Sequence, residues 1–67
     1  MKKLIIKKFI KEYQIEKYEV VNLTTGEIHE TNNELVVLEL IVDSKETLHI
    51  SNETWAYDHF AGDYIEI

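Results

Sequence analysis

The most apolar stretch of the chain is LVVLELIV, residues 35–42. Turn-forming residues border it on both sides. Leu38, Leu40 and Val42 would share one face of a strand, because side chains alternate between the two faces of a sheet. A short apolar run bounded by turn signals is typical of a buried strand. We therefore predict a central strand over residues 35–42.

The residues that follow predict the partner of this strand. Residues 43–46 are typical of a turn, and residues 47–51 alternate, with Leu48 and Ile50 facing inward and His49 outward. This hairpin is predicted to form the centre of the sheet.

A short helical turn is predicted over residues 52–60, with Ser51 or Asn52 as its N-cap. Trp55 and Phe60 would lie on one side of it. Gly62 would end it in a left-handed conformation, and residues 63–67 would form the closing strand.

Towards the N-terminus, residues 18–23 and 27–30 predict a hairpin, with the turn at Thr24-Thr25-Gly26. Residues 1–17 leave two alternatives open. Their apolar residues fit a helical stripe, but their Ile and Phe content favours a strand.

The predicted fold is mainly β: an antiparallel sheet of four or five strands curled into a small barrel or half-barrel, with the N-terminal segment as a strand or a helix. The pattern of strand, helical turn, Gly-Asp and strand resembles small barrels of the SH3-like and OB-like kind. The residues that carry this resemblance are Leu48, Ile50, Phe60, Gly62, Asp63 and Ile65. The predicted core consists of Leu38, Leu40, Leu48, Ile50, Phe60 and Ile65.

Length and composition limit the function. The chain has 67 residues, no Cys and no Pro, so we expect a single domain, residues 1–67, without disulfides or thiolate metal sites. The longest apolar run has four residues, 35–38, and predicts no membrane span. A cytoplasmic location is the expectation.

The net charge of −6 is unevenly distributed. Residues 1–17 carry six of the seven lysines and a net charge of +4, whereas residues 18–67 carry −10. The chain has no Arg, which weakens a nucleic-acid hypothesis because forked phosphate and guanine contacts favour Arg. The acidic part predicts a protein partner with a basic surface.

The sequence predicts neither a catalytic site nor a metal site. The three histidines share neither a helical nor a strand spacing that would place two metal ligands together, and His59 is the best single candidate for a function. No nucleophile elbow or phosphate loop occurs. We expect no cofactor, no metal and no enzymatic activity.

A binding site is predicted where aromatic residues and acids coincide near the C-terminus, with no lysine close to them in sequence. Aromatic anchors with a charged rim suit a protein interface. Two acids of the first hairpin complete the predicted acidic face. The candidate partner-binding residues are Glu27, Glu30, Glu53, Trp55, Tyr57, Asp58 and Asp63.

The favoured function is a small, acidic, non-catalytic protein-binding module. In size and charge the chain is similar to phage-encoded inhibitors of host enzymes or defence nucleases, some of which act by DNA mimicry. One alternative is a nucleic-acid-binding barrel that uses the lysines of residues 2–17. Another is a self-associating structural subunit, a homo-oligomer in which residues 1–17 lie on the acidic face of a second copy.

Overall fold

The computed structural model describes the backbone of residues 2–42 and 48–67 and the side chains of residues 3–42 and 49–67. These residues form five strands and one helix. In chain order they are β1 (Lys2–Lys11), β2 (Gln14–Asn22), β3 (Ile28–Thr31), α1 (Glu34–Val42), β4 (Leu48–Asp58) and β5 (Asp63–Glu66). The mainly β prediction is confirmed.

The strands lie in the order β3-β2-β1-β4-β5, so that β3 and β5 are the edges of an open sheet. The described strands do not close into the predicted barrel. The sheet is also not entirely antiparallel, because β1 and β4 pair in parallel, from Lys2 with Leu48 to Ile10 with Ala56. Parallel neighbours need a long connection, and the chain between them contains β2, β3 and α1.

The N-terminal segment is a strand, β1, in the centre of the sheet. It pairs with β2 through a tight turn in which Glu12 and Tyr13 have φ values of +53° and +67°. Two successive positive φ values are the signature of a type I′ hairpin turn. Between Phe9 and Ile10 the register shifts, and Glu16 of β2 is the extra, unpaired residue of a bulge.

The predicted first hairpin is confirmed as β2 and β3. The Asn22 side-chain oxygen accepts the backbone N–H groups of Thr24 at 2.9 Å and Thr25 at 3.2 Å, and this holds the loop. Gly26 has a φ of +79°, which a side chain rarely permits.

The predicted central strand over residues 35–42 is wrong, because these residues belong to helix α1. The Asn33 side-chain oxygen accepts the backbone N–H of Leu35 at 2.9 Å, which is an N-cap, and Glu34 places a carboxylate in the first turn. A continuous apolar run satisfies both the strand period and the helix period, so the cap decides between them.

The predicted helical turn at residues 52–60 is also wrong, because β4 continues through Asp58. Thr54, Trp55 and Tyr57 all favour strands. The Gly62 prediction holds in part, since Gly62 has a φ of +71° but lies in the turn between β4 and β5. The closing strand is confirmed as β5. The predicted turn at 43–46 lies outside the described residues.

The core lies between α1 and one face of the sheet, which we call the covered face. Leu4, Tyr18, Val20 and Val37 are buried there, and Ile6, Leu40 and Ile41 pack against them. The helix covers only the β2 and β3 side of this face. The other face carries no helix among the described residues, and we call it the open face.

The predicted core is mostly wrong. Leu40 is half-buried, but it packs from the helix. Leu38 is 50% exposed on α1, and Phe60 lies fully exposed in the β4–β5 turn. Ile50 and Ile65 are partly exposed on the half of the covered face that α1 leaves free. The side chain of Leu48 lies outside the described residues.

Candidate binding surface

Four aromatic rings from three strands meet on the open face, and we call them the aromatic cluster: Phe9, Trp55, Tyr57 and Tyr64. The parallel register places Phe9 beside Trp55, and the rings stack with centroids 6.2 Å apart. Tyr64 meets Phe9 edge-on at 5.1 Å and Tyr57 edge-on at 5.4 Å. Phe9 is buried beneath its neighbours, and the other three rings remain half-exposed.

Three lysines lie over these rings. The Lys7 Nζ is 5.4 Å from the centroid of Trp55, and the Lys11 Nζ is 4.4 Å from that of Tyr57. The Lys17 Nζ is 4.9 Å from the ring of Phe9. Cation–π contacts of this length are favourable. The sequence near Trp55 and Tyr57 contains no lysine, but the fold brings lysines of β1 to these rings, since β1 is the neighbour of β4.

Two acids accept the polar hydrogens of the cluster. The Trp55 Nε1–H donates to Glu53 Oε1 at 3.1 Å. The Tyr64 hydroxyl donates to the carboxylate of Glu16. This hydrogen bond, which favours the neutral phenol, and the negative charge of Glu16 raise the pKa of Tyr64 to about 12.

A groove with a volume of about 610 Å³ lies on the β2–β3 side of the open face. Glu30 of β3 lines it on one side, and the Tyr64 ring, which reaches from β5 to Glu16, lines it on the other. Glu16 and Lys17 lie between them. The Lys17 Nζ is 3.4 Å from Glu19 and 3.7 Å from Glu30. Glu30 is the more exposed of the two acids, with 61% of its side chain accessible, so it remains available to a partner.

The aromatic cluster continues into the tip formed by the β1–β2 and β4–β5 turns. His59 contacts the ring of Tyr57 at 4.9 Å, and its Nε2 is 3.9 Å from Glu12 Oε1. Tyr13 and Phe60 at these turns are 103% and 104% exposed. Two fully exposed aromatic side chains beside backbone with positive φ make the tip an extension of the candidate surface.

The structure brings together some of the predicted site residues. Glu53, Trp55 and Tyr57 lie on the open face of β4, and Glu30 lines the groove beside them. Glu27 lies at the far end of β3, outside this groove lining.

Asp58 and Asp63 have local structural roles. The Asp58 carboxylate accepts the backbone N–H groups of Phe60 at 2.8 Å and Ala61 at 3.3 Å. The Asp63 carboxylate accepts the backbone N–H of Tyr64 at 2.7 Å. Both acids therefore stabilise the β4–β5 hairpin.

Sequence reasoning missed Phe9, Lys7, Lys11 and Lys17 as members of the site. The alternation of Lys7, Phe9 and Lys11 along β1 was the available signal, since these positions share one face of a strand. Their contact with Trp55 and Tyr57 depends on the parallel β1–β4 pairing, which no local pattern predicts.

Among residues 2–42 and 48–67, no group of three or more His, Asp or Glu side chains is arranged to hold a metal ion. Within the same residues, no helix has the length and apolar character needed to cross a membrane. Comparison of the chain with protein-family models, curated proteins and solved structures gave no match in any of the three.

Proposed function

We propose that this protein is a non-catalytic binding module whose open face holds a segment of a partner protein with a basic surface. The observation that carries the proposal is the aromatic cluster, which joins a groove on the open face through Tyr64. Half-exposed Trp and Tyr rings provide large contact areas with little loss of side-chain freedom, which is why they dominate protein interfaces.

The charges around the cluster favour a basic partner. Six acids surround the cluster and the tip against three lysines, and the lysines already lie over rings. These acids are Glu12, Glu16, Glu53, Asp58, Asp63 and Glu66. An acidic rim steers a basic partner to the surface, and the aromatic rings then hold it.

The experiment is photo-crosslinking from the open face. A benzoylphenylalanine in place of Tyr57 preserves an aromatic ring there, and the same group in place of Thr24, which is exposed in the β2–β3 loop, serves as the control. We expect Tyr57 to give one partner adduct in a cell extract that excess unmodified protein competes away, and Thr24 to give no such adduct. Equal adducts from both positions would contradict the proposal.

Two matched charge reversals test the acidic rim. Glu66→Lys lies beside Trp55 on the open face, whereas Glu27→Lys makes the same charge change directly before β3, away from the aromatic cluster. We expect Glu66→Lys to slow association with the crosslinked partner and Glu27→Lys to have little effect. Tyr57→Ala should accelerate dissociation at least about tenfold, which corresponds to ~1.4 kcal/mol. Identical kinetics in all variants would overturn the rim hypothesis.

A second candidate is binding of single-stranded nucleic acid, and the lysines over Phe9, Trp55 and Tyr57 favour it. Stacking rings flanked by cations are the common design of such surfaces. Its test is fluorescence anisotropy with a labelled single-stranded oligonucleotide over a salt series. Salt-sensitive binding that weakens in Lys7→Gln and Lys11→Gln would establish this candidate, and the lack of binding at low salt would eliminate it.

The narrower hypotheses of an inhibitor and of a DNA mimic rest on size and net charge alone. On the open face the central row reads Glu30, Glu19, Lys7 and Glu53 across four strands. A lysine thus interrupts the acids, and DNA mimicry stays a prediction without structural support.

A further inference from the structure

The second apolar surface of the molecule lies on the covered face, beside the helix. A groove with a volume of about 340 Å³ runs between α1 and the β1–β4 pair. Ile6 and Thr54 form part of its floor, and Val37, Leu38 and Ile41 form the helix wall. Beyond it, Ile50 and Ile65 are 37% and 43% exposed on β4 and β5.

The helix itself also exposes apolar residues. Leu35, Leu38 and Val42 are 65%, 50% and 78% exposed, and their spacing of three and four residues forms one stripe. A helix that is apolar all round is normally buried on all sides. Here Val37 is the one buried residue of α1.

The accessible surface of the chain shows how much area is left uncovered. It is 5036 Å² for a mass of 7.9 kDa. A compact monomer of this mass exposes about 4,400 Å². The whole chain therefore exposes roughly 600 Å² more than a compact monomer, and a standard interface buries ~800 Å² on each partner.

We propose that a second copy of this chain covers this surface, in a two-fold dimer in which the α1 stripe of each copy lies in the groove of the other. A two-fold axis requires a self-complementary surface. The helix stripe and the groove lie side by side on the same face, so a single two-fold axis can place the stripe of each copy in the groove of the other. Lys8 and Glu34, which both line the groove, can pair across the axis. The open face stays outward, and the dimer is therefore independent of the proposed function.

Sedimentation equilibrium from low micromolar to submillimolar concentration measures the dimer. Leu38→Glu places a charge in the groove, and Phe60→Glu makes the same kind of change at the exposed β4–β5 turn. We expect Leu38→Glu to raise the dimer dissociation constant at least about tenfold, with Phe60→Glu unchanged. Because Leu38 is half-exposed, circular dichroism should show both variants folded. A monomer at every concentration would overturn the proposal.

A mixed-label experiment locates the interface. Since the chain has no Cys, Glu39→Cys carries a single nitroxide at the edge of the helix stripe. It is mixed with isotope-labelled protein that has no nitroxide, so that broadening reports only contacts between copies. We expect broadening of the methyl groups of Ile50 and Ile65. Broadening of Val21 and Ile28 instead would place the dimer on the open face and overturn the proposal.

Discussion

Among the residues that the structure describes, Tyr64 is the one whose ionisation the fold changes most. Its hydroxyl donates to Glu16, and its pKa is raised to about 12 from the ordinary value of 10. We expect tyrosinate absorbance to show one of the four tyrosines titrating last, near pH 12. Glu16→Gln should move this step towards pH 10, and Tyr64→Phe should remove it. A last step that persists in Tyr64→Phe would assign it to another tyrosine.

The raised pKa of Tyr64 also determines the direction in which the stability of the protein changes with pH. The folded pKa of Tyr64 is raised, so the folded state holds the phenol proton more tightly than the unfolded state does. Its contribution to stability is complete below about pH 10 and is lost as the pH rises through about 12. We therefore expect the urea midpoint of wild type to fall over this window more steeply than that of Tyr64→Phe. Parallel decreases in the two proteins would refute the linkage.

At the scale of single elements, the β1–β2 turn has a conformation that its residues do not favour. Glu12 and Tyr13 both have positive φ, where Asn-Gly is preferred. We expect the double substitution Glu12→Asn, Tyr13→Gly to raise the free energy of unfolding by ~1 kcal/mol, measured by urea denaturation. The converse test is Gly26→Ala, which places a side chain at positive φ and should lower the free energy of unfolding by ~1 kcal/mol. An Ala Cβ at Gly26 would meet no atom within 4 Å, so φ alone would be responsible.

Helix α1 depends on its cap. Asn33→Ala removes the acceptor of the Leu35 N–H and should cost ~1 kcal/mol. Asn33→Asp retains the acceptor and adds a favourable charge at the helix N-terminus, so we expect wild-type stability or better. Urea denaturation followed by circular dichroism measures both variants. An equal loss of stability in Asn33→Asp and Asn33→Ala would show that the cap is not the reason.

The sequence predicts elements well where the signals are local. The turn at Gly26, the β2–β3 hairpin and the closing strand were all predictable, because turn residues and alternation lie within a few positions of one another. Residues 35–42 were not, since an apolar run fits two periods and only Asn33 distinguishes them. At residues 51–53 a strand was mistaken for the start of a helical turn, because Ser51 and Asn52, which are typical N-cap residues, occupy the middle of β4.

For the candidate site too, residues close together in sequence were predictable and residues joined by long-range pairing were not. Glu53, Trp55 and Tyr57 are neighbours in sequence and alternate along one strand, so they could be predicted as a group. Phe9 and its flanking lysines join them through the β1–β4 register, which is a property of the whole sheet. Long-range pairing therefore limited the prediction of the site.

For the whole molecule, the two parts of the chain depend on each other. Residues 1–42 contain β1, β2, β3 and α1, and residues 43–67 contain β4 and β5. The central β1–β4 pairing joins the parts. We expect each fragment alone to lack cooperative unfolding, and an equimolar mixture to regain the circular dichroism of the intact chain. A cooperative transition in residues 1–42 alone would show that the pairing is dispensable.

The parallel pairing also has a consequence for synthesis on the ribosome. β1 emerges early and forms its hairpin with β2, but its other edge stays unpaired until β4 has been translated. An unpaired edge in an incomplete nascent chain is a site of aggregation. The apolar triplet Leu4-Ile5-Ile6 lies on that edge, and Lys2-Lys3 and Lys7-Lys8 flank it. Charged residues that flank an apolar strand in this way are typical gatekeepers against aggregation, so we expect that replacing both lysine pairs with Ser would increase aggregation of the nascent chain before β4 is translated.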